Sequence, residues 1–118
     1  MLRVFLSFPY TGAEKKAKAF GRELSRFLVK RGINPLCPHI YYPQFLSNSG
    51  EGYNFALECC KDLLSISSYA IFIVPESGRL SKGMCIEETC AIELDVRRTY
   101  LSKAFIWEGL TSWVKSHV

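Results

Sequence analysis

With 118 residues, 48% of them hydrophobic, the chain has material for one compact core and too little for two ordinary domains. Its net charge of +4 is scattered, much of it along one predicted helix, rather than gathered into a patch, so a nucleic-acid partner is not expected. Five cysteines without zinc-ligand spacing, and no apolar run long enough to span a bilayer, set the expectation of free thiols, no metal centre and a cytoplasmic protein away from membranes.

Arg3 to Phe8, RVFLSF, is a short apolar run ended by Pro9 and reads as a buried strand. Thr11 and Glu14 then stand at capping-box spacing. Behind them Ala13, Ala17, Phe20, Leu24 and Phe27 recur every three or four residues, which predicts a helix ending near Gly32. Ile33 to Ile40 suits a second extended segment, kept short or at an edge by its two prolines. A loop is expected over Tyr41 to Gly52, and a second helix from about Tyr53 to Ile66. YAIFIV, Tyr69 to Val74, lacks polar alternation and predicts a strand buried on both faces. After the loop PESGRLSKG, a third helix is expected over Met84 to Arg97 and a last strand over Lys103 to Trp107, with a short terminal helix at Thr111 to Val118. The order predicts an α/β fold: three layers, a doubly wound, mostly parallel sheet of about four or five strands flanked by helices, as a single domain over 1–118.

Ligands of such sheets bind beyond the carboxyl ends of the strands, near a switch in strand order. The loops expected there are Phe8 to Thr11, His39 to Phe45, Pro75 to Gly83 and Trp107 to Gly109. On the third helix, Met84, Glu87, Ala91 and Leu94 share one face by their spacing. An acid on an apolar stripe is costly unless paired, hydrated or placed at a cavity. Two readings stay open for Glu87: a rim acid paired with a Lys or Arg, or a nucleophilic carboxylate held ionised by the helix's first N–H groups. Gly83 and Ser81 admit two readings as well, a tight helix entrance or room and donors for a ribose or phosphate. Asp62 reads as a solvated acid and Glu76 as a reserve acid at a strand end.

Three blocks, VFLSFPYTG (Val4 to Gly12), PHIYYPQFL (Pro38 to Leu46) and SKGMCIEETCA (Ser81 to Ala91), resemble those of the nucleoside 2-deoxyribosyltransferase-like family, and most closely its small uncharacterised branch. The resemblance spans Val4 to about Val96. It implies a doubly wound fold, a homo-oligomer with a dimer favoured, and no cofactor. It also implies that Glu87 attacks C1′ of the deoxyribose and that Tyr10 helps position it. Phe8, His39, Tyr41, Ser81, Gly83 and Met84 are implied as substrate-binding, for a nucleoside or nucleotide. Tyr69 departs from the pattern, since relatives often carry Asp at the entrance to the third strand. The expected function is cleavage or transfer at the N-glycosidic bond of a (deoxy)nucleoside or nucleotide. The alternative is a catalytically degenerate nucleotide-binding or assembly module; a TIR-type signalling domain matches less of the chain.

Overall fold

The computed structural model describes residues 1–10, 12–46 and 50–118. Four strands, β1 (Arg3–Ser7), β2 (Asn34–Leu36), β3 (Tyr69–Val74) and β4 (Arg97–Ser102), form one sheet in the order β2-β1-β3-β4. All three pairings are parallel, with Val4 opposite Pro35 and Tyr69, and Ala70 opposite Arg98. The helices are α1 (Glu14–Val29), α2 (Pro38–Tyr41), α3 (Gly50–Ser65), α4 (Lys82–Glu93) and α5 (Ile106–His117). No helix among the described residues is long and apolar enough to cross a membrane.

The period of two along the central strands divides the core into two layers. Val4 and Leu6 of β1 and Ile71 and Ile73 of β3 face one side, where Leu24 and Leu28 of α1 and Leu110 and Trp113 of α5 cover them. Phe5, Ala70 and Phe72 face the other, against Leu64 of α3 and Met84 and Ala91 of α4. With helices on both faces, neither strand has a solvent side, which is why neither sequence alternates with polar residues. The fold is thus the three-layer, doubly wound parallel α/β arrangement expected.

The chain leaves β1 in one direction to reach β2, then crosses back beneath it to build β3 and β4 on the other side. The reversal opens a crevice at the carboxyl ends of β1 and β3. Gly21 sets the height of α1 over that crevice. A Cβ there would stand 3.0 Å from the Cys37 sulfur and 3.1 Å from the Phe8 ring, so a larger residue would require those side chains or the helix to shift.

Several element boundaries differ from those expected. The last strand is Arg97–Ser102, not Lys103 to Trp107; the latter segment forms a 3₁₀ turn (Lys103–Phe105) and the start of α5, which is longer than expected. The third helix stops at Glu93 instead of Arg97 because Asp95 takes a left-handed backbone, φ 56°, that no helix continues through. β4 is an edge strand whose burial is only partial, so it carries no continuous apolar run. β2 ends at Leu36 because Pro38 opens α2, where a missing N–H is harmless. The loop expected from Tyr41 to Gly52 contains a 3₁₀ turn at Tyr42–Gln44 and the first turn of α3; residues 47–49 lie outside the described set. The Thr11 half of the capping box lies outside it too. Ala13 is the N-cap of α1 without a side-chain bond, and the Gly12 N–H donates to Glu14 Oε1 at 3.2 Å.

Candidate active site

The crevice contains a cavity of about 670 Å³, within the size range of small-molecule sites. Phe8, Pro9 and Tyr10 enter it from the β1–α1 loop, and Glu14 and Lys18 from α1. Pro38 and His39 of α2 and Tyr42 close one side. Tyr53, Leu57 and Cys60 of α3 form another, and Ser81, Lys82, Gly83, Met84 and Glu87 bring in the start of α4.

Glu87 is 5% exposed, on the α4 face that also buries Met84 and Ala91. The cost of burying that acid is met by one strong partner: the Ser7 hydroxyl donates to Glu87 Oε1 at 2.7 Å. Ser7 is the last residue of β1 and is completely buried. The Cys60 side chain hydrogen-bonds the same carboxyl group. Burial nonetheless dominates and pushes Glu87 up to about 7, with the two hydrogen bonds pulling the other way. Neither partner weighed for it, a rim Lys or Arg or a first-turn N–H group, has a hydrogen bond to Glu87 among the described residues. Ser81 caps α4 by accepting from the Met84 N–H at 3.3 Å, and Glu87 sits beyond that turn.

His39 stands between two aromatic rings, edge-on to Phe8 at 4.9 Å and to Tyr10 at 4.7 Å. Its Nε2 lies 2.9 Å from the Phe8 carbonyl oxygen. A carbonyl only accepts, so Nε2 carries the proton and Nδ1 presents a lone pair with no partner among the described residues. Burial lowers His39 to about 4, outweighing that carbonyl bond, so the ring is neutral across the physiological range.

The structure therefore gathers Phe8, Tyr10, His39, Ser81, Gly83, Met84 and Glu87 around one cavity. Tyr41 is not among its lining residues. It is 58% exposed and packs against Tyr42 at 5.1 Å and Phe45 at 5.2 Å. Among the described residues the hydrogen bonds to Glu87 come from Ser7 and Cys60 and not from Tyr10, whose ring forms wall instead. A Cβ on Gly83 would meet only the Tyr53 hydroxyl, at 4.0 Å, so the α4 backbone is open to the cavity there. Asp62 and Glu76 are exposed and do not line this cavity.

Ser7, Cys60 and Tyr53 were not foreseen as site residues, whereas Tyr42 lies in the His39 to Phe45 loop expected at the ligand end. Ser7 had a signal, a lone hydroxyl at the carboxyl end of an apolar strand; Cys60 had none beyond its place in an amphipathic helix. Tyr69 begins β3 and so stands at the opposite end of that strand, five residues or about 16 Å along it from the cavity side. There its ring meets Trp113 and its hydroxyl accepts from Arg97 at 3.1 Å. Its identity cannot alter recognition in the cavity directly.

Residues 2–101 match the model of the family described as Domain of unknown function (DUF7768). No curated protein sequence matches the chain. Among solved structures it is similar to a 2-desoxiribosyltransferase from Leishmania mexicana, with a TM-score of 0.65 at 13% identity. That match covers 86% of this chain and 65% of that one, so this chain spans less than two thirds of the other's length. At such identity the likeness is one of fold.

Proposed function

For a chain that belongs to the DUF7768 family, we propose cleavage or transfer at the N-glycosidic bond of a deoxynucleoside or deoxynucleotide, with Glu87 as nucleophile. The observation that carries the reading is a buried carboxyl group, bonded to Ser7 and lining a cavity of about 670 Å³ at the sheet's switch point. The fold likeness to a 2-desoxiribosyltransferase supports it and does not identify the substrate. On this reading the chain is a nucleoside 2-deoxyribosyltransferase-like domain over residues 1–118.

The ionised carboxylate attacks C1′ as the C1′–N bond breaks, and the bond's electron pair leaves with the base, which takes up a proton from the medium. A covalent glycosyl ester on Glu87 results. Water, or a nitrogen of a second base, then attacks C1′ and returns the carboxylate. Phe8, Tyr10 and Tyr42 supply ring faces and edges for the base, and the His39 Nδ1 accepts from one of its N–H groups. Ser81 and Gly83 leave the α4 backbone open beside the sugar, and Lys18 and Lys82 place positive charge where a phosphate would sit.

The test is incubation with deoxynucleosides and deoxynucleotides, with and without an acceptor base, followed by mass analysis of protein and products. A deoxyribosyl adduct mapped to Glu87, absent in Glu87→Gln, is expected. Full turnover by Glu87→Ala would exclude the carboxylate's role. A second reading, nucleotide binding without turnover, draws on the elevated Glu87 titration: near pH 7 a share of the molecules carries a neutral acid, which donates a hydrogen bond rather than attacking. Calorimetric binding without base release would favour it.

A further inference from the structure

From the packing around Glu87 we infer that Ser7 and Cys60 are its positioning residues, a hydroxyl from the sheet and a thiol from a neighbouring helix that fix the carboxyl group's orientation and hold its charge. The inference rests on the reading of Glu87 as the reacting group, though the clamp itself is testable without turnover.

Ser7 occupies a fully buried position on a central strand that is paired on both sides, where an apolar side chain would be the cheaper choice. A buried hydroxyl is tolerated when bonded, and Glu87, 80 residues away in the chain, is the partner it has. Cys60 approaches from α3, which packs beside α4, so the carboxyl group is gripped by strand and helix together. A carboxylate pinned from two elements loses the rotamer freedom that would otherwise spoil in-line approach to a sugar carbon.

The donors are neutral, and that matters for reactivity. Among the described residues no Lys or Arg pairs with Glu87, whose side-chain partners are Ser7 and Cys60; the Lys61–Glu58 ion pair lies on exposed residues of α3. The other titratable groups around it are the thiols of Cys37 and Cys90, both pushed upward chiefly by burial and so protonated, and the neutral His39 imidazole. Lys18, Lys82, Glu14 and Tyr10 line the same cavity without a bond to the carboxyl group. A nearby ammonium would hold the charge more firmly and also blunt its attack on an electron-poor carbon. Two hydrogen bonds from neutral donors stabilise the anion without pairing it to a fixed positive charge.

The experiment follows the Glu87 carboxyl carbon by NMR in the full chain labelled at glutamate, assigned by its loss in Glu87→Gln. Ser7→Ala raises the Glu87 titration midpoint by about one pH unit, the worth of one hydrogen bond to a charged group. Cys60→Ala raises it by less, since a thiol is the weaker donor. Cys60→Ser lowers it, a change of sign that mere repacking would not give. If Ser7→Ala does not fold, Cys60→Ser still decides the matter. A midpoint unmoved in these variants overturns the clamp. Adduct formation is measured beside it: when the wild type forms the sugar adduct, Ser7→Ala slows the chemical step with substrate affinity little changed, and its pH profile moves with the NMR midpoint. Shifts without an adduct in any protein leave the clamp standing and remove the transferase reading; an adduct without shifts does the reverse.

Discussion

The two ends of one sheet solve opposite problems. At the amino ends of β3 and β4, Tyr69, Trp113 and His117 close on each other, with the Trp113 and His117 rings stacked at 4.4 Å and Tyr69 edge-on to both. Their polar atoms are matched: the Trp113 indole N–H donates to Thr99 Oγ1 at 3.1 Å, and His117 Nδ1 lies 2.7 Å from the Trp113 carbonyl oxygen. At the carboxyl ends of β1 and β3 the sheet borders a cavity holding a buried acid and an imidazole whose second nitrogen has no partner among the described residues. A filled end stabilises; a hollow end lined with costly polar groups implies a use for them.

Breaking each end should give different failures. Glu87→Ala, at the hollow end, is expected to lower turnover by about a thousandfold or more while the protein stays folded, as loss of a covalent nucleophile does. Product analysis on a defined deoxynucleoside checks it. Trp113→Ala, at the filled end, is expected to cost about 3–5 kcal/mol of stability in urea denaturation, because it empties a buried ring site and its hydrogen bond. Turnover per folded molecule should then remain within about twofold, and the Glu87 titration should not move. A large change in that titration would mean the two ends are coupled through β3, and the comparison would fail.

The hollow end also makes a prediction about pH, because its two ionisable groups pull in opposite directions. Glu87 titrates near 7 when folded against 4.5 unfolded, so the folded state binds the extra proton and this contribution is lost as pH rises from 4.5 through 7. His39 titrates near 4 when folded against 6.5 unfolded, so its contribution is present above 6.5 and lost as pH falls towards 4. Over the shared window the slopes cancel, and the wild type should be nearly flat. Glu87→Gln exposes the histidine alone, with stability rising by about 3 kcal/mol from pH 4 to 6.5. His39→Gln exposes the acid alone, with stability falling by about as much from pH 4.5 to 7. Urea midpoints across this range read both slopes, and parallel curves for the two variants would refute the assignments.

Much of the hollow end could be read beforehand, for a physical reason. Glu87 stood out because Met84 and Ala91 at helical spacing are apolar, and the fold buries those three together. Leu94, assigned to the same stripe, is instead exposed as the residue ending α4. The partners of Glu87 were hidden because they come from β1 and α3, and contacts with residues so distant in sequence, 80 positions away for Ser7, leave no local period. β4 was misplaced for a related reason. An edge strand with Arg97, Arg98 and an exposed Tyr100 lacks the apolar run that marked β3, while Phe105, Ile106 and Trp107 imitate one in a turn and a helix start.

The smallest effect expected separates two adjacent tyrosines. Tyr42 lines the cavity, where burial first and the neighbouring Cys59 and Cys60 next push its hydroxyl up to about 12, so it meets a ligand as a neutral donor. Tyr41 is exposed, lies outside the cavity lining and packs against the rings of Tyr42 and Phe45. Tyr42→Phe should therefore weaken ligand binding by the worth of one hydrogen bond, about 0.5–1.5 kcal/mol. Tyr41→Ala should change it by less than about 0.5 kcal/mol, as surface substitutions do. Calorimetry with one deoxynucleotide compares them directly. If Tyr41 proves the stronger of the pair, its ring must face a ligand in an assembly of two chains, and the hollow end would belong to more than one copy of this sheet.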